Sequence, residues 1–209
     1  MSVSTYAELK TAVANHLNRS DLTSRIPEFI VSAEGRIGRE LRIRQMEKRA
    51  TASISTEYAD MPTDFIEQRN IQINGTTQDR LQYLSPEQMD KFHSSQSTGT
   101  PTVYSIIGTE FQFKPVPDTS YTVEIAYFAR FAAMSADNDT NWLLTNEPDT
   151  YVYASLIAAA PYLDEDPRLQ TWAALYSEIV KTLNDQDKKA RYSGATLRMR
   201  PDVGDITWR

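Results

Sequence analysis

The chain has 209 residues, a formal net charge of −6 and an ordinary globular composition, with 40% hydrophobic and 24% charged residues. It has no cysteine and only two histidines, which excludes disulfides, thiolate chemistry and cysteine-based metal centres and leaves little for imidazole catalysis. None of its seven glycines lies in a G-x-x-x-x-G-K-[ST] or G-x-G-x-x-G motif, so a glycine loop that holds nucleotide phosphates is not expected.

Charge is distributed unevenly along the chain. Residues 36–49 and 188–209 each carry six basic and two acidic residues, a net charge of +4 apiece, which leaves −14 on the remainder. An acidic body disfavours general binding of nucleic acid, whose affinity comes from clustered Lys and Arg. Opposite charges in separate places favour head-to-tail contacts between copies of the chain. Two solvated basic stretches without a partner are the alternative.

The first 49 residues predict two helices. Thr5 to Glu8 form a capping-box pattern, and apolar residues follow at helical spacing to about Asn18. A second helix begins near Ser24 to Pro27 and presents one apolar stripe and one basic stripe. Gly35 and Gly38 lower the helix propensity of this segment, which indicates close packing against another helix or subunit. The N-terminus has no signal-peptide pattern and no stretch is long enough to span a bilayer, so we expect cytosolic synthesis without membrane insertion.

The hydrophobic period changes to two from about residue 50. The pattern predicts short strands at residues 50–55, 66–73, 80–84, 102–107, 110–114 and 121–128. Alternation is clearest in the last of these, where Tyr121, Val123, Ile125 and Tyr127 point to one face. A short helix is predicted to begin at Ser85. Residues 50–135 therefore predict an antiparallel β domain inserted between helices.

Helical spacing returns over residues 136–190. Asn146, with Pro148 in the first turn, is predicted to start one helix, and Asp166 to cap another that begins with Pro167. The predicted fold class is α+β: an antiparallel bundle of two N-terminal helices (1–49) and two C-terminal helices (136–190) around an inserted β domain. Residues 191–209 follow neither period yet contain apolar side chains, so this segment folds back on its domain or docks on a partner as an extended arm.

Few residues suggest chemistry. The carboxylate pairs that a hydrolase would need are Asp60 with Asp64, Asp137 with Asp139, and Asp164 with Asp166, and each lies where turns and caps favour Asp. His93 beside two serines lies in a polar loop without a third group to orient it, and His16 is expected near a helix C-terminus. Asp137 and Asp139 lack the glycine and glutamate of a calcium loop. We therefore expect no enzymatic activity, no cofactor and no metal site.

Several segments, taken in order, carry a family resemblance. They are Tyr6 to Leu9, Ile26 to Ile37 with an arginine-rich helix end, Met61 to Glu67, Phe111 to Pro117 followed by Tyr121 to Tyr127, and Asn141 to Leu144 before Tyr151 to Ala154. Together they resemble the head-to-tail adaptor, or connector, proteins of tailed bacteriophages, and are similar to the adaptors of short-tailed phages of the tail tubular protein A type. The resemblance covers nearly the whole chain, and its motifs are structural, without catalytic content.

The resemblance implies a structural virion protein at the head-tail junction, made in the host cytoplasm. Such adaptors form a dodecameric ring under the portal protein, extend the channel through which double-stranded DNA passes without sequence recognition, and offer a platform for tail nozzle or fibre proteins. Their C-terminal extension reaches onto the portal; in this chain that stretch contains Leu197, Arg198, Met199, Arg200, Pro201, Ile206 and Trp208.

The basic stripe of the second helix then acquires an expected role. We expect that these cations face an acidic neighbour, which is the next subunit or the portal. The cations are Arg36, Arg39, Arg42 and Arg44. The alternative function is a nucleic-acid-binding module that places both basic segments on one surface. Such a module would bind duplex DNA with a steep dependence on salt concentration.

Overall fold

The computed structural model describes residues 3–75, 79–92, 97–164 and 166–192 of a mixed α+β protein with mainly antiparallel sheets. Its helices are α1 (Tyr6–Leu17), α2 (Ile26–Glu40), α3 (Pro86–Phe92), α4 (Trp142–Asn146), α5 (Pro148–Ala158) and α6 (Arg168–Tyr192). Its strands are β1 (Glu47–Ile54), β2 (Tyr58–Asp60), β3 (Phe65–Ile73), β4 (Asp79–Arg80), β5 (Gln82–Tyr83), β6 (Val103–Ile107), β7 (Glu110–Lys114) and β8 (Tyr121–Ala129). Short 3-10 turns lie at Ser20–Arg25, Arg44–Met46 and Ala160–Tyr162.

The helices other than α3, which packs on β6, share one hydrophobic core, and α5 lies at its centre. α5 packs against α1, α2 and α6, and its Tyr151 is among the largest fully buried side chains. The predicted capping box of α1 is confirmed, because the Thr5 hydroxyl accepts the Glu8 N–H and the Glu8 carboxylate accepts the Thr5 N–H. The predicted apolar stripe of α2 is buried in the same core, where each large aliphatic side chain contributes about 1.5–3 kcal/mol.

The strands form two four-stranded sheets that enclose a second core. Their orders are β1-β8-β3-β4 and β2-β7-β6-β5. The predicted alternation of β8 is confirmed, since Val123, Ile125 and Tyr127 are buried between the sheets and the intervening residues are more exposed. All pairings between described strands are antiparallel except that of β5 with β6, which is parallel. This parallel pair departs from the predicted antiparallel domain.

Two predicted elements differ from the structure. The predicted strand 80–84 is two short strands, because the chain changes sheets there: the Leu81 N–H donates to Ile71 in one sheet and the Gln82 N–H donates to Thr102 beside the other. The predicted cap at Asn146 is wrong. Asn146 ends α4, whose own cap is Asn141, and the predicted helix begins at Pro148 after Glu147, which makes no side-chain capping hydrogen bond. Short β2 was not predicted.

Candidate functional site

The four arginines predicted to meet a neighbour divide into two kinds. Arg36 lies over the ring of Tyr176 on α6, 5.8 Å from its centre. Arg42 donates to the Gly38 and Leu41 carbonyls and lies 3.4 Å from a Glu67 carboxylate oxygen. Arg39 and Arg44 are exposed, and neither forms an ion pair with another described residue. Arg39 and Arg44 are therefore the members of this set with side chains available to a partner.

A cluster of polar side chains connects the end of α6 to the start of the β sheets; we call it the polar joint. Asp187 on α6 accepts the Arg44 N–H at 2.9 Å and pairs with Arg191. Arg191 also forms an ion pair with Glu47 at the start of β1, and Glu47 pairs in turn with Arg69 on β3. Burial of Asp187 favours a higher pKa, but these donors outweigh it and hold the pKa of its carboxyl below the usual range. Asp187 is therefore an ionised, buried anchor.

A groove of about 640 Å³ lies between α2 and the adjoining ends of β3 and β8. Its α2 wall carries Val31, which is 61% exposed, and the two helix glycines. Its opposite wall includes Phe131, which stacks on Trp142 with ring centres 6.4 Å apart. Arg39, Arg42 and Arg130 flank this apolar floor. We refer to this feature, lined by Val31, Gly35, Gly38, Phe131, Arg39 and Arg130 among others, as the basic groove.

The outer face of the second sheet carries a patch of opposite character. Asp60 on β2 lies opposite Glu110 on β7, and Glu110 lies opposite Ile107 on β6, so the three share one face. Tyr58 lies two residues before Asp60 and points to that same face. Tyr58 and Ile107 are 43% and 42% exposed, and within the described residues Asp60 and Glu110 form no ion pair. We call Tyr58, Asp60, Ile107 and Glu110 the acidic row.

Four of the other carboxylates considered for hydrolysis, Asp64, Asp137, Asp139 and Asp166, have structural partners. Asp64 pairs with Lys48 and accepts the Tyr127 hydroxyl, and Asp137 pairs with Lys10. Asp139 accepts two backbone N–H groups, and Asp166 pairs with Arg168. His16 lies 2.8 Å from the Ala12 carbonyl oxygen, and His93 lies outside the described residues. Over the ranges that the structure describes, no three His, Asp or Glu side chains are grouped to hold a metal ion.

A match to a family model establishes the family of the chain. Residues 4–200 match the family model described as SU10 adaptor protein. The chain belongs to this family. The match spans both hydrophobic cores and supports a bacteriophage adaptor with a structural role rather than an enzymatic one. No curated protein matches the chain.

The remaining predicted contacts of the adaptor lie outside the described residues. These are the residues of the expected portal-binding stretch: Leu197, Arg198, Met199, Arg200, Pro201, Ile206 and Trp208. Sequence reasoning had also missed Arg130, Phe131 and Asp187, which belong to the groove and the joint. Neighbouring residues gave no signal for these roles, because the groove joins Arg130 and Phe131 to α2 residues about 90 or more positions earlier, and Asp187 accepts the N–H of Arg44, 143 positions earlier. In the described portion, no helix has the length and apolar character needed to cross a membrane.

Proposed function

We propose that the adaptor forms a ring below the portal protein of a tailed bacteriophage, extends the DNA channel and provides the platform for a tail nozzle or fibres. The observation that carries this proposal is the family match, which extends through both cores and into the C-terminal segment. The ring would be dodecameric, as the likeness to tail tubular protein A-type adaptors of short-tailed phages implies. Its place is the head-tail junction of the virion.

The distribution of charge supports a conduit rather than a DNA-gripping surface. Three cations of the basic segment 36–49 are paired within the chain: Arg42 with Glu67, Lys48 with Asp64 and Arg49 with Glu124. A cation that must leave its ion pair to contact a phosphate gains less binding free energy than an unpaired one, so it adds less affinity for DNA. The acidic body of the chain would repel the duplex and allow it to slide.

We further propose that the segment after Tyr192 docks on the portal. It continues from α6, whose last turn is fixed to the β sheets through Arg191 and the polar joint. A segment with apolar residues and a net positive charge can bury its apolar side chains on a partner and direct its cations to acidic groups there.

The test is co-sedimentation with purified portal rings from the same virus, comparing the full chain with a chain that ends at Tyr192. Ending the chain at Tyr192 keeps Arg191 and so preserves the polar joint, which a chain ending at Ala190 would lose. We expect the full chain to bind and the shortened chain to fold without binding, with circular dichroism and thermal unfolding as the folding control.

Two results would contradict these proposals separately. Binding by the chain that ends at Tyr192 would refute the docking role of the C-terminal segment. Failure of both chains to bind portal rings would refute the adaptor position, and affinity for duplex DNA with a steep salt dependence would then establish the nucleic-acid-binding alternative.

A further inference from the structure

The basic groove is an open surface on this chain. A Cβ atom added at Gly38 would meet nothing within 4 Å, and one added at Gly35 would meet only the Arg39 guanidinium, at 3.5 Å. Each glycine lowers helix stability by about 1 kcal/mol relative to alanine, and no close contact inside the described chain requires either of them. Beside them, Val31 is exposed and lines the groove together with Phe65 and Phe131, and such a contiguous apolar patch marks an interaction site. The groove therefore has the shape and composition of an interface without its partner.

The acidic row also carries exposed side chains that are available to a partner. Its Tyr58 and Ile107 are exposed, although both are large enough to contribute strongly when buried at an interface. Asp60 and Glu110 lie beside them and form no ion pair with the described part of the chain. An apolar pair bordered by two carboxylates is the complement of an apolar floor bordered by Arg39 and Arg130.

We propose that the basic groove of one copy of the chain binds the acidic row of a second copy. Tyr58 and Ile107 would enter the apolar part of the groove, and Asp60 and Glu110 would face Arg39 and Arg130. This inference rests on the proposed ring and assigns its subunit contact. Because the groove and the row are different surfaces, the contact is heterologous, and repetition of such a contact closes a ring or extends a filament.

Charge selects the second copy over the chain's own C-terminal segment as the occupant. The C-terminal segment, residues 193–209, carries three basic residues against two acidic ones, so it brings cations to Arg39 and Arg130, whereas the charged groups of the acidic row are carboxylates alone. The body of a second copy carries the opposite sign, and the acidic row supplies carboxylates and apolar side chains together. The glycine wall leaves room for the aromatic ring of Tyr58 to approach the α2 backbone closely.

The test is a charge exchange followed by analytical ultracentrifugation over a concentration series. One variant combines Arg39→Glu with Arg130→Glu, and the other combines Asp60→Lys with Glu110→Lys. Each alone should self-associate roughly a hundredfold more weakly than the wild type, because like charges then meet at the contact. An equimolar mixture of the two should recover association, since each variant then offers the surface that the other needs.

Matched controls separate this contact from the effect of net charge. Lys181→Glu with Lys189→Glu changes the charge by the same amount on exposed α6 positions, and Glu178→Lys with Asp164→Lys matches the acidic exchange. Both controls should associate as the wild type does. Gly38→Trp fills the groove without changing charge and should weaken association strongly, and Gly38→Ala, which adds a single methyl group, should weaken it less.

The outcomes decide the inference independently of the portal experiment. Wild-type-like association of either charge variant, no recovery in the mixture, or a wild type that stays monomeric at its highest soluble concentration would overturn this contact. In each of these cases binding to portal rings can still succeed, which would leave the adaptor position in place. Loss of portal binding with the subunit contact intact would give the reverse conclusion.

Discussion

Glu34 is a partly buried carboxyl group whose ionisation the fold disfavours. It lies on the α2 wall of the groove, where its carboxylate accepts the Met134 N–H at 3.0 Å and has no cation paired with it among the described residues. Burial raises the pKa of this carboxyl, and the single hydrogen bond only partly offsets that effect. A carboxylate that is desolvated and unpaired destabilises the folded chain when it is charged.

Replacing Glu34 with Gln should stabilise the protein at neutral pH. Since the folded carboxyl binds its proton more tightly than the unfolded one, the wild-type free energy of unfolding falls as pH rises from about 4.3 through the folded pKa. Gln keeps an oxygen for the Met134 N–H and does not titrate, so its advantage should grow over that window and then level off. Urea unfolding at several pH values measures this; a pH-independent difference would contradict it.

Gly38 offers a second test at a single residue. Gly38→Ala should raise the free energy of unfolding by up to about 1 kcal/mol, because alanine favours the helix and its Cβ meets no atom within 4 Å. Gly108 is the matched control: its φ of +61° lies in the left-handed region, so Gly108→Ala should destabilise by about 1 kcal/mol. Both differences can be measured by urea unfolding, and a destabilised Gly38→Ala would show a contact that the fold does not reveal.

At the scale of elements, the sequence patterns predicted those features of a helix or strand that depend on interactions within that element. The capping box of α1, the apolar stripe of α2 and the alternation of β8 each depend on residues within one element, and each is confirmed. β2 has only three residues, too few for a period to show, and pairs with β7 about fifty positions later. The division of β4 from β5 depends on two different sheets, which no local pattern can reveal.

The polar joint connects α6 to the β sheets, and Asp187 is the residue at which its contribution to stability can be tested. Asp187→Ala should lower the free energy of unfolding by about 2–3 kcal/mol, because it leaves the part-buried Arg44 N–H without an acceptor and removes one of the two carboxylates that pair with Arg191. The pKa of Asp187 is lowered in the fold, so its stabilisation is present above the ordinary pKa and is lost as pH falls through the folded pKa.

The measurement for Asp187 is urea unfolding of the wild type and the variant at neutral and at acid pH. The difference between them should shrink in acid. Arg191→Ala, alone and combined with Asp187→Ala, completes a double-mutant cycle that should show coupling between the two side chains. Strict additivity of the two changes would mean that the joint does not act as a unit.

At the scale of the whole molecule, the segregation of charge along the chain could be predicted from the sequence. Which of the cations are available to a partner could not. The pattern identified residues 36–49 as basic, yet Arg42 proved to be paired and Arg39 available, because pairing depends on Glu67 in another element. Arg130 gave no signal by itself and joins the groove only through the packing of the β8 end against α2. The basic groove and the acidic row could therefore be identified only from the fold. The family resemblance could be identified from the order of segments in the sequence alone.

The polar joint also sets how mechanical load would pass through the adaptor. α6 has 25 residues and a length of about 37 Å, and its far end meets β1 through Arg191 and Glu47. Tension applied at Tyr192 thus has a direct route into the first sheet through charge pairs, while the covalent route runs back through α6, α5 and α4 to the end of β8. Because these ion pairs are largely buried, salt screens them less than exposed pairs, so this route should keep its stiffness as ionic strength rises.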